Sequence, residues 1–342
     1  MTISERVGAI RIGQWAIVIL ILFCAPTIVK AQWKANVGAE TKSQARQADA
    51  FLPNEIWISA GDSITWTFVP KNEPHTVTLL AQNTTPQQVR PLPPPPVGPP
   101  PPVPTGCPGV QPSGSSYTGA NCVTSGISSG GTTYTVNFPN AGNYKLICLI
   151  HTNMNGTVHV LPTKDALPHH QGFYDDQARD QASDLLNLNS DVMEEVSDFP
   201  RSQNEVLTTG QMLATGGGRQ YLAIVRFFPG NIQVHVGDTV EWTNVDPTEP
   251  HTVTFGMEPP NPMALVGVSP QDDGALHGSV GSPSDNINSG FLQAAPEDRI
   301  GNPQSPVGST RIRITFTHAG TYNYKCALHD VDGMLGKVIV LP

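Results

Sequence analysis

The chain has 342 residues, enough for two domains of ordinary size, each with a hydrophobic core of its own. Its formal net charge is −9, from 28 acidic and 19 basic residues, and no part of it forms a basic stripe. This charge excludes the usual means of binding a nucleic-acid backbone, so we expect no nucleic-acid partner.

The N-terminal segment predicts export. Arg6 and Arg11 precede the apolar run WAIVILILFCAPTIV, which is followed by Lys30 and Ala31. The run is about fifteen residues long and contains a proline, whereas a membrane-spanning helix needs roughly twenty residues. We therefore predict a signal peptide over residues 1–31, cleaved after Ala31, and a periplasmic or secreted protein. The alternative is an uncleaved membrane anchor, and only that alternative gives the protein a membrane contact.

The rest of the chain contains an internal repeat. The hexapeptide EPHTVT occurs at residues 73–78 and again at 249–254, and each histidine lies nine residues after a tryptophan that ends a Gly-Asp segment. The two halves also end alike, in GTVHVLP and GKVIVLP. Self-similarity of this kind indicates a duplicated structural unit. We place the first domain at residues 32–162 and the second at residues 206–342.

Period-two alternation predicts the secondary structure of both domains. EIWISAGDSITWTF and NIQVHVGDTVEWTN alternate apolar and polar residues around Gly-Asp turn signals, which favours short antiparallel strands. TYTVNFPNAGNYKLICLIH and RIRITFTHAGTYNYKCALH match each other and indicate two further strands joined by a tight turn. Neither domain shows helical periodicity. The predicted fold class is therefore all-β, with two tandem sandwiches or barrels.

Both domains carry an insertion. The first, at residues 82–132, contains the polyproline-like stretch VRPLPPPPVGPPPPVPTGCPG, which we expect to form a stiff, exposed loop. We expect Cys107 and Cys122 to close its tip with a disulfide, which would contribute about 3 kcal/mol in the chain-entropy model. The second insertion, at residues 257–309, is rich in Gly, Pro and Asp. Neither insertion contains a catalytic pattern.

The acidic linker at residues 163–205 predicts one amphipathic helix that joins the domains. Asp175 and Asp176 suit a helix start. Apolar residues follow at helical spacing and predict a face packed on a domain: Ala178, Ala182, Leu185, Leu186, Val192, Met193 and Val196. A helix that docks a partner is the alternative.

Each domain ends in a cluster of residues that bind soft metals, CLIHTNMNGTV in the first and CALHDVDGMLGKV in the second. Together with the hexapeptide histidines, they form two sets: His75, Cys148, His151 and Met154, and His251, Cys326, His329 and Met334. Two imidazoles, a thiolate and a weak thioether hold copper in a trigonal site with a long axial bond. A lone Cys and Met near a strand end usually pack in the core, but packing gives no reason for two histidines to recur in the same order. The sequence therefore predicts two copper ions, one per domain.

The ligand loops resemble those of the blue copper proteins, or cupredoxins. CALHDVDGMLGKV is similar to the plastocyanin loop, and CLIHTNMNGTV is similar to the shorter amicyanin loop, with two instead of four residues between His and Met. The resemblance covers each domain from the Gly-Asp turn to the last strand, without the insertions. It implies a Greek-key β-sandwich for each domain and a type 1 copper site at each set of four residues.

The chain departs from this family after the first histidine of each set. Many members have Asn there, where the side chain ties the two ligand loops together, but this chain has Thr76 and Thr252. We expect the threonine hydroxyls to make a comparable bond. We expect the other six histidines of the chain to be structural or solvated.

Three functions fit two such domains: electron transfer, copper carriage or storage, and multicopper oxidoreductase chemistry. In multicopper enzymes a histidine next to the blue-site cysteine, together with His-x-His pairs, binds the catalytic copper. Cys148 and Cys326 have no neighbouring histidine, and the sequence contains no His-x-His pair. A carrier needs open, exchangeable coordination, whereas these ligand sets resemble closed ones.

We therefore predict an electron-transfer protein that is not an enzyme, with two type 1 sites made unequal by their different ligand loops. Its redox partner protein is not identified by the sequence. We expect electrons to enter and leave through the edge of His151 or His329, where the ligand loop approaches the surface.

Overall fold

The computed structural model describes residues 30–82, 84, 107, 109–151, 154–187, 205–215, 218–244, 250–293 and 310–342, and of residues 205–215 and 218–221 it gives the backbone. Most of the predicted signal peptide, the polyproline stretch, the end of the linker helix and the end of the second insertion lie outside these residues. Within the described part of the chain, no helix has the length and apolar character needed to cross a membrane.

Short strands form most of the described structure. The first half contains β1 (Gln32–Glu40), β2 (Arg46–Leu52), β3 (Glu55–Ser59), β4 (Ser63–Phe68), β5 (Thr78–Leu79), β6 (Ser115–Ser116), β7 (Val123–Thr124), β8 (Thr133–Asn137), β9 (Gly142–Ile147) and β10 (Asn155–Leu161). One helix follows, α1 (Gln171–Asn187). The second half contains β11 (Glu205–Thr215), β12 (Gly218–Phe228), β13 (Asn231–His235), β14 (Thr239–Asn244), β15 (Thr254–Phe255), β16 (Leu265–Val266), β17 (Val268–Pro270), β18 (Leu276–Val280), β19 (Ile287–Ser289), β20 (Arg311–Phe316), β21 (Gly320–Lys325) and β22 (Leu335–Leu341).

Both halves use the same strand pairings. A five-stranded sheet, β3-β10-β9-β5-β7, belongs to the first half, and a six-stranded sheet, β13-β22-β21-β15-β19-β16, belongs to the second. A third sheet has eleven strands and runs through both halves in the order β17-β18-β20-β14-β11-β12-β2-β1-β4-β8-β6. Each domain is therefore a pair of sheets, as the sequence predicted.

The connections between strands differ from the prediction. The Gly-Asp turn joins β3 and β4, and the Ala-Gly turn joins β8 and β9, but each pair divides between two different sheets. These turns carry the chain from one layer to the other, so the strands find their hydrogen-bonding partners far away in sequence. Two of those pairings, β1 with β4 and β3 with β10, are parallel, whereas the alternation had suggested antiparallel strands.

The core of each domain fills the space between its two sheets. Trp66 and Trp242, the tryptophans of the repeat, are each 1% exposed at its centre. Each is in edge-to-face contact with another aromatic ring: Trp66 with Phe138, and Trp242 with Phe255 and Tyr324. Burial of one large apolar side chain contributes about 1.5–3 kcal/mol, so these rings are major sources of stability.

The described parts of both insertions contribute strands as well as loops. β6 and β7 pair with β8 and β5, and the expected disulfide between Cys107 and Cys122 is present, with a Cα–Cα distance of 5.2 Å. In the second domain, Leu276 and Ile287 of the insertion lie in the core. The insertions therefore add strands to the sheets, and the polyproline stretch that we expected to be a stiff loop lies almost wholly outside the described residues.

Helix α1 confirms the predicted linker helix but begins earlier, at Gln171 instead of the Asp175–Asp176 pair. Ala178 and Leu185 are buried against β1 and β2, as the apolar spacing predicted. Leu186 packs on Leu222 and Ile224 of the second domain. The helix therefore covers the seam between the domains. Val192, Met193 and Val196 lie outside the described residues.

The two domains are joined by strand pairing. β12 of the second domain runs antiparallel to β2 of the first, with Tyr221 opposite Asp49 and Ile224 opposite Arg46. All described residues from Ala31 onward belong to one compact unit. This junction brings the ligand loop of the second domain against the first domain.

Candidate metal centres

The first candidate centre joins two distant segments of the first domain. His75 precedes β5 and is fixed by two backbone hydrogen bonds with Ser128, each 2.9 Å long. Cys148 directly follows β9, and His151 lies three residues further on. The Nδ1 atoms of the two histidines are 2.9 Å apart, and the Cys148 Sγ is 3.7 Å from the Nδ1 of His151. All three side chains are buried.

The second centre repeats this geometry. His251 is held by two backbone hydrogen bonds with Leu292, and Cys326 directly follows β21. The Nδ1 atoms of His251 and His329 are 3.2 Å apart, and the Cys326 Sγ lies 3.9 and 3.5 Å from them. In each centre the three ligand atoms lie within 4.8 Å of one another.

The two methionines close the ligand loops. Met154 and Met334 are fully buried, in the same core clusters as the cysteines. The carbonyl of each methionine accepts a hydrogen bond from the N–H of the cysteine of its loop, at 3.0 Å for Cys148 and 3.1 Å for Cys326. Each loop thus returns on itself. The assignment of the methionines as axial ligands stays a prediction.

The donor chemistry of both centres fits copper. Two Nδ1 atoms that converge with a thiol form a nitrogen and sulfur set of the kind that copper prefers. Burial, the largest influence, raises the pKa of each thiol, but the adjacent histidine charges and hydrogen bonds outweigh it and hold the pKa of Cys148 and Cys326 well below its usual value. The thiolate, the form that binds a metal, is therefore favoured.

Threonine ties the two ligand segments of each centre together, as we expected from the sequence. The Thr76 hydroxyl accepts a hydrogen bond from the N–H of Leu149 at 2.8 Å. The backbone N–H of Thr76 donates to the Cys148 Sγ at 3.4 Å. In the second domain the Thr252 hydroxyl accepts from the N–H of Ala327 at 2.7 Å. Both hydroxyls are buried, so each bond fixes the residue after the cysteine.

A glycine makes room for the first histidine. Gly38 sits at a bulge in β1 with φ of +69°, where side chains are rarely tolerated. A Cβ atom there would lie 2.6 Å from Pro70 and 2.8 Å from the Nε2 of His75. The backbone of β1 therefore packs directly against the imidazole and limits its orientation.

Glu73 is a functional candidate that sequence reasoning missed, although it opens the repeated hexapeptide. Its carboxylate is 6% exposed and lies between the two centres. The Nε2 of His151 donates to its Oε1 at 3.1 Å, and the Nε2 of His329, in the other domain, lies 3.6 Å from its Oε2. Burial raises the pKa of Glu73, but the hydrogen bond and charge of His151 and the charges of His329 and His75 lower it to about 2.

Burial of the outer histidines corrects one expectation. We expected the edges of His151 and His329 to approach the surface, but they are only 3% and 4% exposed. Their outer nitrogens face Glu73 because the second domain docks on this end of the first. Asn72 donates to the Asp332 carboxylate at 3.0 Å across that junction. Gln44 donates to the same oxygen at 3.3 Å.

The other histidines take no part in either centre. Within the described part of the chain, these two His-Cys-His groups are the ones that could hold a metal ion. His159 contacts Asn143 at 2.7 Å and stacks on Trp57, and His277 contacts Asp273 at 2.9 Å. These contacts agree with the structural role that we expected.

Comparison with known proteins matches both halves of the chain to the same family. Residues 38–161 and 218–341 each match the family described as copper binding proteins of the plastocyanin/azurin family. Similar solved structures include an oxidized methionine-to-leucine variant of amicyanin, with 20% identity over 42% of this chain and 88% of that chain and a TM-score of 0.22. A purple cupredoxin from Nitrosopumilus maritimus is 22% identical over 40% of this chain and 98% of the cupredoxin chain, with a TM-score of 0.21. The oxidized plastocyanin from Dryopteris crassirhizoma is 18% identical over 40% of this chain and 99% of the plastocyanin chain, with a TM-score of 0.22.

The family matches cover both predicted domains and include both His-Cys-His groups, which could hold two copper ions, one per domain. The predicted two-domain cupredoxin-like fold is therefore confirmed. The chain belongs to the plastocyanin/azurin family of copper-binding proteins.

Proposed function

We propose that this protein transfers electrons through two type 1 copper sites, one in each domain, and that it is not an enzyme. The observation that carries the proposal is the duplicated, closed ligand set. In each domain two histidines and a cysteine converge from the same two segments and are 0–4% exposed. Copper bound by such a set accepts and releases one electron.

The surroundings of each set support a rigid site. The threonine hydroxyl, the backbone bridge of the first histidine and the hydrogen bond from cysteine to methionine recur in both domains. Together they fix the positions of the nitrogens and the sulfur before any metal binds. A rigid set suits electron transfer because little rearrangement accompanies a change of oxidation state.

Copper carriage or storage is the second candidate. It requires that copper enter and leave readily, whereas these ligands are buried beneath their own loops and, for His151 and His329, beneath the other domain. Burial therefore favours a resident metal ion. We place multicopper oxidoreductase chemistry third, because neither cysteine has the neighbouring histidine that such enzymes use.

We further propose that the chain is exported and meets a redox partner protein outside the cytoplasm. The disulfide between Cys107 and Cys122 supports export, because disulfides persist in oxidising compartments. The net charge of −9 favours a partner with a basic docking surface.

Copper stoichiometry and a visible spectrum test the main proposal. The samples are the wild type, Cys148→Ser and Cys326→Ser. We expect two copper ions per wild-type chain, an intense thiolate-to-copper band, and loss of one centre with half of the band in each variant. A colourless copper, or a chain that exchanges its copper readily with a chelator, would favour the carrier instead.

A further inference from the structure

We propose that Glu73 is the bridge through which the two copper centres exchange electrons, so that the protein works as one internally coupled two-electron store. This inference rests on the proposed function and extends it. It gives a role to a residue outside both predicted ligand sets, and it concerns the connection between the centres.

The first argument is geometric. In both centres the Nδ1 atoms of the histidines converge with the sulfur, so Nδ1 is the nitrogen that would hold the metal. The other ring nitrogen, Nε2, then carries the proton and donates. For His151 and His329 that nitrogen points at opposite oxygens of the same carboxylate, at 3.1 and 3.6 Å. The carboxylate of Glu73 therefore spans the gap between a ligand of one centre and a ligand of the other.

The second argument is burial. Glu73, His151 and His329 are 6%, 3% and 4% exposed, so little water separates the two imidazoles. A carboxylate placed there costs desolvation free energy unless donors compensate it on both sides. A hydrogen bond from His151 and the imidazole of His329 in the other domain, 3.6 Å away, supply that compensation. A role within the first domain alone would not require the contact with His329.

The third argument is that the usual exit through these histidine edges is closed. The junction between the domains covers both outer nitrogens, and it is held by strand pairing of β2 with β12 and by the hydrogen bond from Asn72 to Asp332. The shortest route out of either imidazole edge therefore leads to the other centre.

The exchange itself involves one electron. With both centres loaded, one copper ion would change from Cu(I) to Cu(II) as the other changes from Cu(II) to Cu(I). No bond forms or breaks, and no proton leaves Glu73 or the histidines. The bridge needs only to keep the Glu73 carboxylate hydrogen-bonded to one imidazole and in close contact with the other.

The decisive variant is Glu73→Gln, which keeps the side-chain length but has one acceptor oxygen instead of two. Asp49→Asn is the matched control, because Asp49 is a buried carboxylate of the first domain that lies 3.8 Å from the Nε2 of His75. Both variants are first checked for two copper ions and intact thiolate bands. Loss of those signals from the wild type would remove the proposed function, and this proposal with it.

Three readouts follow on the full-length protein. After partial photoreduction, the redistribution of the electron between the centres should slow by about tenfold or more in Glu73→Gln and stay unchanged in Asp49→Asn, since only the first change alters the carboxylate that contacts both His151 and His329. The potential of the second centre should rise in Glu73→Gln, because a negative charge of the first domain is removed from its histidine. In zinc-loaded protein, the Nε2 protons of both His151 and His329 should exchange faster by NMR.

The proposal is overturned by an unchanged redistribution rate in Glu73→Gln, provided that both thiolate bands are intact. A shift in the potential of the first centre alone would also overturn it, because Glu73 would then act only on its own domain. Either result leaves the proposed function in place, so the two failures are distinguishable. Glu73→Asp, which shortens the side chain, should restore neither contact fully and should give an intermediate rate.

Discussion

The hydroxyl of Thr76 accepts a hydrogen bond from the N–H of Leu149 at 2.8 Å. This one buried oxygen therefore joins the segment that supplies the first histidine to the loop that supplies the cysteine. Thr252 and Ala327 repeat this relationship in the second domain at 2.7 Å. The two centres thus depend on the same bond, made by a residue type that differs from the asparagine of many relatives.

Replacement of this threonine by valine tests the bond. Thr76→Val keeps the shape but leaves the buried N–H of Leu149 without its acceptor, which costs about 1–3 kcal/mol. We expect the free energy of unfolding in urea to fall by that amount and the copper signal of the first centre to broaden. Thr76→Ser keeps the hydroxyl and serves as the control. Unchanged stability, copper retention and potential in Thr76→Val would show that the bond has no role.

Gly38 provides a second test, which separates backbone strain from a clash. In Gly38→Ala the new Cβ meets Pro70 and His75, and the residue also has to keep φ of +69°. Gly131→Ala in the same domain has φ of +77° but open space around the new methyl group. Both variants should lose about 1–2 kcal/mol from the left-handed backbone, measured by urea unfolding. Only Gly38→Ala should also lose copper from the first centre, and equal copper retention in both would contradict the packing argument.

Arg226 links the second ligand loop to the first domain. Its Nη1 donates to the carbonyl of Asp332 at 2.8 Å, and its Nη2 donates to the carbonyl of Ser43 at 2.9 Å. We expect Arg226→Gln to lower the free energy of unfolding by about 1–3 kcal/mol, because the half-buried carbonyl of Asp332 loses its donor. The control is Arg179→Gln on the exposed face of α1, which should change it by less than about 0.5 kcal/mol. Equal effects would mean that Arg226 acts only as a surface charge.

Asp332 predicts a pH dependence of the metal-free protein. Burial, the largest influence, raises its pKa above the usual 3.8, and repulsion from Glu73 adds to that, while the hydrogen bond from Asn72 lowers it. A raised folded-state pKa means that ionisation of Asp332 favours the unfolded state. The contribution of Asp332 to the free energy of unfolding is therefore largest below pH 3.8 and is lost as the pH rises through the folded-state pKa.

The corresponding variant is Asp332→Asn, which keeps the oxygen that accepts from Asn72. We expect it to be more stable than the wild type at neutral pH and equally stable below the usual aspartate pKa. Chemical unfolding of the metal-free protein at the two pH values measures this. A variant that is less stable at neutral pH would show that the charge of Asp332, and not only its hydrogen bonds, stabilises the domain junction.

Much of each candidate centre could be predicted because its residues are fixed by local structure. His75 follows a strand that its apolar and polar alternation defines. Cys148 and His151 lie three residues apart in one loop. Local sequence is therefore enough to indicate each of these two segments. The repetition of the pattern at His251 and Cys326 then distinguished candidate metal ligands from core residues. The same alternation predicted the strands, though it could not assign them to sheets.

The contact of Glu73 with His329 could not be predicted in this way, because it depends on how one domain docks on the other. That docking depends on β2 pairing with β12, and the alternation of a strand does not specify its partner. The burial of His151 and His329 was missed for the same reason. A signal existed, since a glutamate opens both copies of the hexapeptide, but nothing in the sequence related it to a histidine in the other half.

The pairing of β2 with β12 also has a consequence for solubility. Each is the last strand of its own domain's part of the long sheet, so in a separated domain it would present a row of unpaired N–H and C=O groups to water. Exposed edges of this kind recruit other chains and promote aggregation. In the intact chain each domain covers the edge strand of the other. The duplication that gives the protein two candidate metal centres therefore also removes the exposed edges through which single domains would aggregate.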